Sequence, residues 1–106
     1  MPQYAVLAKY SATALTAICG AGYVTRIDQM KNFCESLGGS FVSVGFCGSG
    51  SYDFIGIVDI PNDGPFAMSS LGYASGAFDR IEWHELRSAE QMDSLVAAQV
   101  NWQPPA

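Results

Sequence analysis

Tyr52-Asp53-Phe54-Ile55-Gly56-Ile57-Val58-Asp59-Ile60 is an apolar, β-branched run held between two chain breakers, Gly48-Ser49-Gly50-Ser51 before it and Pro61-Asn62-Asp63-Gly64-Pro65 after it. Its length, composition and flanks predict a strand over 52–60. Side chains alternate along a strand, so Phe54, Gly56 and Val58 point to one face and Ile55 and Ile57 to the other, and Tyr52 and Asp53 are likewise expected on opposite faces. A sheet with helices on one side and water on the other alternates apolar with polar residues. This run is apolar on both faces, and each face therefore needs a cover.

Upstream, residues 40–47 (SFVSVGFC) predict a second strand. Before them, Val24, Ile27, Met30, Cys34 and Leu37 recur at spacings of three and four, which predicts a helix over 23–37 ended by Gly38-Gly39. Residues 3–10 (QYAVLAKY) predict the first strand. Between them Ala14, Leu15, Ala17 and Ile18 suggest a short helix, with Gly20 and Gly22 expected to break it.

Downstream, Pro65 suits the first position of a helix running to about Ala74, and residues 78–87 (FDRIEWHELR) predict a further strand. Ser88-Ala89-Glu90-Gln91 matches a capping box, and Met92, Leu95, Val96 and Val100 then repeat helically. The order β-α-β-β-α-β plus a C-terminal helix is the ferredoxin-like plan: one α+β domain over 1–106, with two helices on one face of a four-stranded antiparallel sheet. The uncovered face implies either a homodimer with sheet facing sheet or a C-terminal helix folded across it, and the homodimer is the expectation.

The composition agrees with a covered surface. The chain has 106 residues, 49% hydrophobic and only 14% charged, where a small monomer normally displays more charge. Its net charge is −5, and Lys9, Arg26, Lys31, Arg80 and Arg87 form no basic cluster, which argues against nucleic acid and against anionic membrane as partners. No apolar stretch approaches a membrane span of about 20 residues, and the N-terminus lacks a secretory pattern. Cys19, Cys34 and Cys47 fit neither a disulfide framework nor a zinc motif, so a reduced, cytoplasmic protein is expected.

Gly50-Ser51-Tyr52-Asp53 resembles the segment that gives the GYD-domain family of small bacterial proteins its name. Lys9 matches a basic position in the family's first strand, Leu37-Gly38-Gly39 its helix ending, and Ile60-Pro61-Asn62-Asp63 its Pro-x-Asp turn. Asp79 to Glu85 and the segment after Ser11 depart from the family pattern, as a divergent member would. The resemblance implies a dimeric α+β barrel, in which two ferredoxin-like sheets close around a central cavity. That superfamily spans cofactor-free enzymes, haem-handling proteins and ligand-binding modules, so the fold alone selects no activity.

His84 is the only histidine and the one side chain that ordinarily exchanges protons near neutrality. Glu82, two residues away on the same face, is placed to orient it; otherwise His84 simply fills a strand position. Glu82 and His84 also count as two metal donors, with Asp53 or Glu85 as a third in space, but sequence spacing completes no set, and neither metal nor cofactor is expected. Asp53 either pins the loop end or acts as a base in a pocket. Lys9 lies on an otherwise apolar strand and needs a partner or an exit to solvent; Asp53 is a candidate partner because first and third strands are neighbours in this plan. With Lys9 and Glu82, Tyr52 and Trp83 complete the set of substrate-contacting candidates, although a large aromatic such as Trp83 is more often plain core. The expectation is a small organic ligand bound by a homodimer and acted on by acid–base chemistry through His84 and Asp53, with isomerisation, cyclisation or oxygenation as candidate reactions. The alternative is a non-catalytic ligand-binding or protein-interaction module.

Overall fold

The computed structural model describes residues 1–98 and 101–105. Its elements are β1 (Gln3–Tyr10), α1 (Ala12–Ala21), α2 (Tyr23–Ser36), β2 (Ser40–Phe46), β3 (Phe54–Asp59), α3 (Gly64–Ala74), β4 (Phe78–Leu86) and α4 (Ala89–Ala97). The strands form one antiparallel sheet in the order β2-β3-β1-β4. This is an α+β architecture compatible with the ferredoxin-like plan. No helix among the described residues is long and apolar enough to cross a membrane.

Strand alternation sorts the sheet into two faces. On β1, Tyr4, Val6, Ala8 and Tyr10 are buried, while Gln3, Ala5, Leu7 and Lys9 are only partly so. Phe54 and Val58 of β3 and Phe78 of β4 join the buried set, against Ile18 of α1 and Met30 and Cys34 of α2. Aromatic rings knit the centre: Tyr10 stacks on Phe78 with centroids 5.1 Å apart and leans on Phe54 at 5.4 Å. Edge and offset contacts of this kind suit the ring quadrupoles.

Four local features differ from what the sequence predicts. α1 is a full helix that runs through Gly20 and stops at Gly22, whose φ is 101°. A helical glycine costs only about 1 kcal/mol relative to alanine, and the Ser11 side chain offsets part of it by accepting the Ala14 N–H. β3 begins at Phe54, because residues 51–53 form a bend, and β2 stops at Phe46. α2 ends one residue early, in a Schellman motif: the Gly39 N–H reaches the Cys34 carbonyl and the Gly38 N–H the Glu35 carbonyl, with Gly38 at φ 78°.

The face opposite the helices stays open. Register pairs Leu7 with Ile55 and with Glu82, and Ala5 with Ile57 and with His84, so these residues share that face. Ile55 is 44% exposed. α4 does not fold across it. The capping box at Ser88 and Gln91 forms as read from the sequence, yet α4 has no buried residue, and Met92, Leu95 and Val96 point their apolar groups into solvent. Val100, read as part of the same helical repeat, lies outside the described residues. The radius of gyration is 16.6 Å, against about 13 Å for a compact chain of this size.

Candidate functional site

The open sheet face gathers five of the six candidate residues. The sixth, Trp83, pairs with Val6 and so lies on the helix-covered face, where its indole N–H donates to Ser69 Oγ at 2.9 Å and its ring meets Tyr4 edge-on. It is a packing residue there. On the open face, the Tyr52 hydroxyl donates to Glu82 Oε1 at 3.0 Å, and His84 Nε2 lies 2.8 Å from Glu82 Oε2. An ionised carboxylate only accepts, so in this pair Nε2 carries the proton, and in the neutral form of the ring Nδ1 is the acceptor nitrogen. Both donors favour the charged form of Glu82. Its pKa is lowered, first by the His84 hydrogen bond and then by that of Tyr52. The Arg80 guanidinium sits 5.8 Å from the centre of the Tyr52 ring, a cation–π contact.

Beside this row, Lys9 Nζ donates to Asp53 Oδ1 at 3.0 Å. Asp53 Oδ2 accepts the backbone N–H of Tyr10 at 2.9 Å, where the β1–β4 ladder shifts register. The Asp53 N–H in turn donates to the Ala8 carbonyl at 2.7 Å. The carboxylate is thus engaged by one ammonium and one backbone donor, which is the arrangement of a loop clamp. Strand alternation predicted that Tyr52 and Asp53 would face opposite ways. Both instead end on the open face, because Tyr52 lies in the bend before β3, where the two-residue period does not yet apply. Among the described residues no three His, Cys, Asp or Glu side chains come together as a metal site.

A second feature lies on the other side of the sheet, and the sequence reading missed it. α2 and α3 stand apart and leave a cleft of about 440 Å³, floored by Val6, Phe54, Gly56, Val58 and Phe78. Met30 and Phe33 of α2 face Met68 and Leu71 of α3 across it, and Arg26 and Gln29 stand at its edge. A side chain at Gly56 would come within 3.2 Å of Val6 Cγ1, so glycine keeps the floor level. The helical stripe of α2 was legible as a core face; that α3 does not close against it was not. Cys34 also lines this cleft, and burial raises its thiol pKa, which keeps it in the unreactive protonated form.

No family model matches this sequence, and no curated protein or solved structure matches it either.

Proposed function

We propose that the chain is a divergent GYD-like protein that works as a homodimer, with two open sheet faces meeting to enclose Tyr52, Glu82 and His84, and that it performs cofactor-free acid–base chemistry on a small organic molecule held between them. The hydrogen-bonded row Tyr52–Glu82–His84, set on an uncovered sheet face that also carries Leu7, Ile55 and Ile57, carries this reading. The apolar residues supply an isologous contact, since a two-fold axis brings the same patch of both copies together. The polar row then lies in a chamber from which water is largely excluded.

In this reading Glu82 fixes His84 through Nε2, and Nδ1 takes a proton from an activated carbon of the substrate. Tyr52 holds the other oxygen of Glu82 and keeps the carboxylate charged, so that it stabilises the imidazolium as it forms. Lys9 and Asp53 position the substrate's polar group at the end of the row. Proton removal of this kind opens the way to isomerisation, cyclisation or oxygenation.

The test is deuterium exchange from solvent into the acidic carbon of a panel of small β-dicarbonyl compounds, followed by NMR. The wild-type chain is expected to accelerate exchange of at least one member, with loss to background in His84→Ala. Acceleration that survives in His84→Ala removes His84 as the proton carrier.

A second reading is favoured by α4, whose Leu95 and Val96 are exposed although the helix is well capped. In it the chain is a non-catalytic module that docks another protein through that helix. A pull on tagged protein that recovers a stoichiometric partner, lost in Leu95→Asp, distinguishes it.

A further inference from the structure

We propose that the cleft between α2 and α3 binds a small apolar carboxylate, its hydrocarbon body between the two helices and its charged end on Arg26. The volume of about 440 Å³ lies within the range of small-molecule sites, and the lining is apolar save for Arg26 and Gln29 of α2 and Ser75. Met30 and Met68 approach from opposite helices. Unbranched thioethers of this kind adapt their shape to an occupant.

The edge selects the head group. Arg26 Nε donates to the Tyr10 hydroxyl at 2.9 Å, and Nη1 donates to Gln29 Oε1 at 3.1 Å. These two bonds fix the plane of the guanidinium and leave its other N–H donors without a protein partner among the described residues. Arg26 pairs with no carboxylate there, although the chain carries 10 acidic side chains and a net charge of −5. A planar fork held in place beside an apolar cavity matches a carboxylate bidentately. One guanidinium balances one negative charge, which favours a carboxylate over a phosphate dianion.

This site is separated by the sheet from the Tyr52–Glu82–His84 row and does not depend on dimer formation, so either proposal can fail alone.

The test is titration calorimetry of the full chain with decanoate and with decanol, below their aggregation limits. Decanoate is expected to bind saturably at one per chain and at least tenfold more tightly than decanol. Arg26→Gln is expected to weaken decanoate at least tenfold and to leave decanol unchanged. Leu71→Trp, at a site 64% exposed where folding tolerates the change, narrows the cleft and is expected to weaken both. Should Arg26→Gln fail to fold, the comparison of the two probes on wild type and Leu71→Trp carries the test. No saturable decanoate binding, equal affinity for decanoate and decanol, or indifference to Leu71→Trp overturns the proposal.

Discussion

Asp53 ties the bend before β3 to β1 with both of its oxygens: Oδ1 accepts from Lys9 Nζ at 3.0 Å and Oδ2 from the Tyr10 backbone N–H at 2.9 Å. The two bonds are not equivalent. Lys9 is 39% exposed and reaches water easily, whereas Asp53 is 15% exposed and its backbone partner cannot move away. A surface ion pair contributes about 0–1 kcal/mol, while a hydrogen bond to a charged acceptor contributes about 1.5–3 kcal/mol. Asp53→Ala is therefore expected to lower unfolding stability by about 2 kcal/mol, and Lys9→Met by less than about 1 kcal/mol. Urea denaturation of the two variants checks this; equal losses would show that the ammonium, not the backbone bond, holds the clamp.

Glu82 gives a pH prediction. Its pKa is depressed in the folded state, with the His84 bond as the largest cause and the Tyr52 bond next. A depressed carboxylate contributes stability that is present above its unfolded pKa and is lost as pH falls through the lower, folded value. In His84→Ala the Glu82 titration is expected to move up toward the ordinary carboxylate range, and in Tyr52→Phe to move up by less. Carboxyl-detected NMR titration reads both directly. A Glu82 titration unmoved by His84→Ala would mean that the pair seen here does not persist in solution.

How far these features were legible follows from what each one depends on. The Lys9–Asp53 pair was readable because it needs only two strands of known adjacency and two opposite charges. The Glu82–His84 pair was readable from the two-residue period alone. The same period misplaces Tyr52, which lies in the bend before β3 where it does not apply, and it leaves Trp83 open between pocket and core, because strand alternation gives a face but not which face is covered. The α2–α3 cleft was invisible for a different reason. Periodicity shows that Met30 lies on the inner side of its helix, but the distance between two helices is set by packing across the whole sheet. α1 was underestimated because a single glycine in a capped helix costs less than the packing of Ile18 and its neighbours returns.

The end of α2 offers a test of local packing. Gly38 has φ 78° and open space around it, so alanine there meets only the left-handed backbone penalty of about 1–2 kcal/mol. At Gly39 a Cβ would run into the Asp59 carbonyl oxygen and into Ile60. Neither the backbone nor the fully buried Ile60 can yield cheaply. Gly39→Ala is expected to cost about 3 kcal/mol, the upper end for overpacking, and to exceed Gly38→Ala in a thermal or urea unfolding series. The reverse order would place the strain in the turn rather than in the contact with β3.

The open face supplies the test of assembly. Ile55 is paired with Leu7 in the middle of that face and is 44% exposed in the single chain, so a charge there disturbs little of the core beneath. In the proposed homodimer the same position is buried against its own copy, where two aspartates would lie close together without counter-charges. Ile55→Asp is therefore expected to fold, keeping its circular dichroism, and to sediment as a monomer while the wild type sediments as a dimer. Leu95→Asp, on α4 and away from the sheet face, separates the two surfaces: dimers lost only in Ile55→Asp place the contact on the sheet, and dimers lost only in Leu95→Asp place it on the helix. A wild-type monomer at tens of micromolar would remove the enclosed chamber, and with it the reason to expect His84 to work out of contact with bulk water.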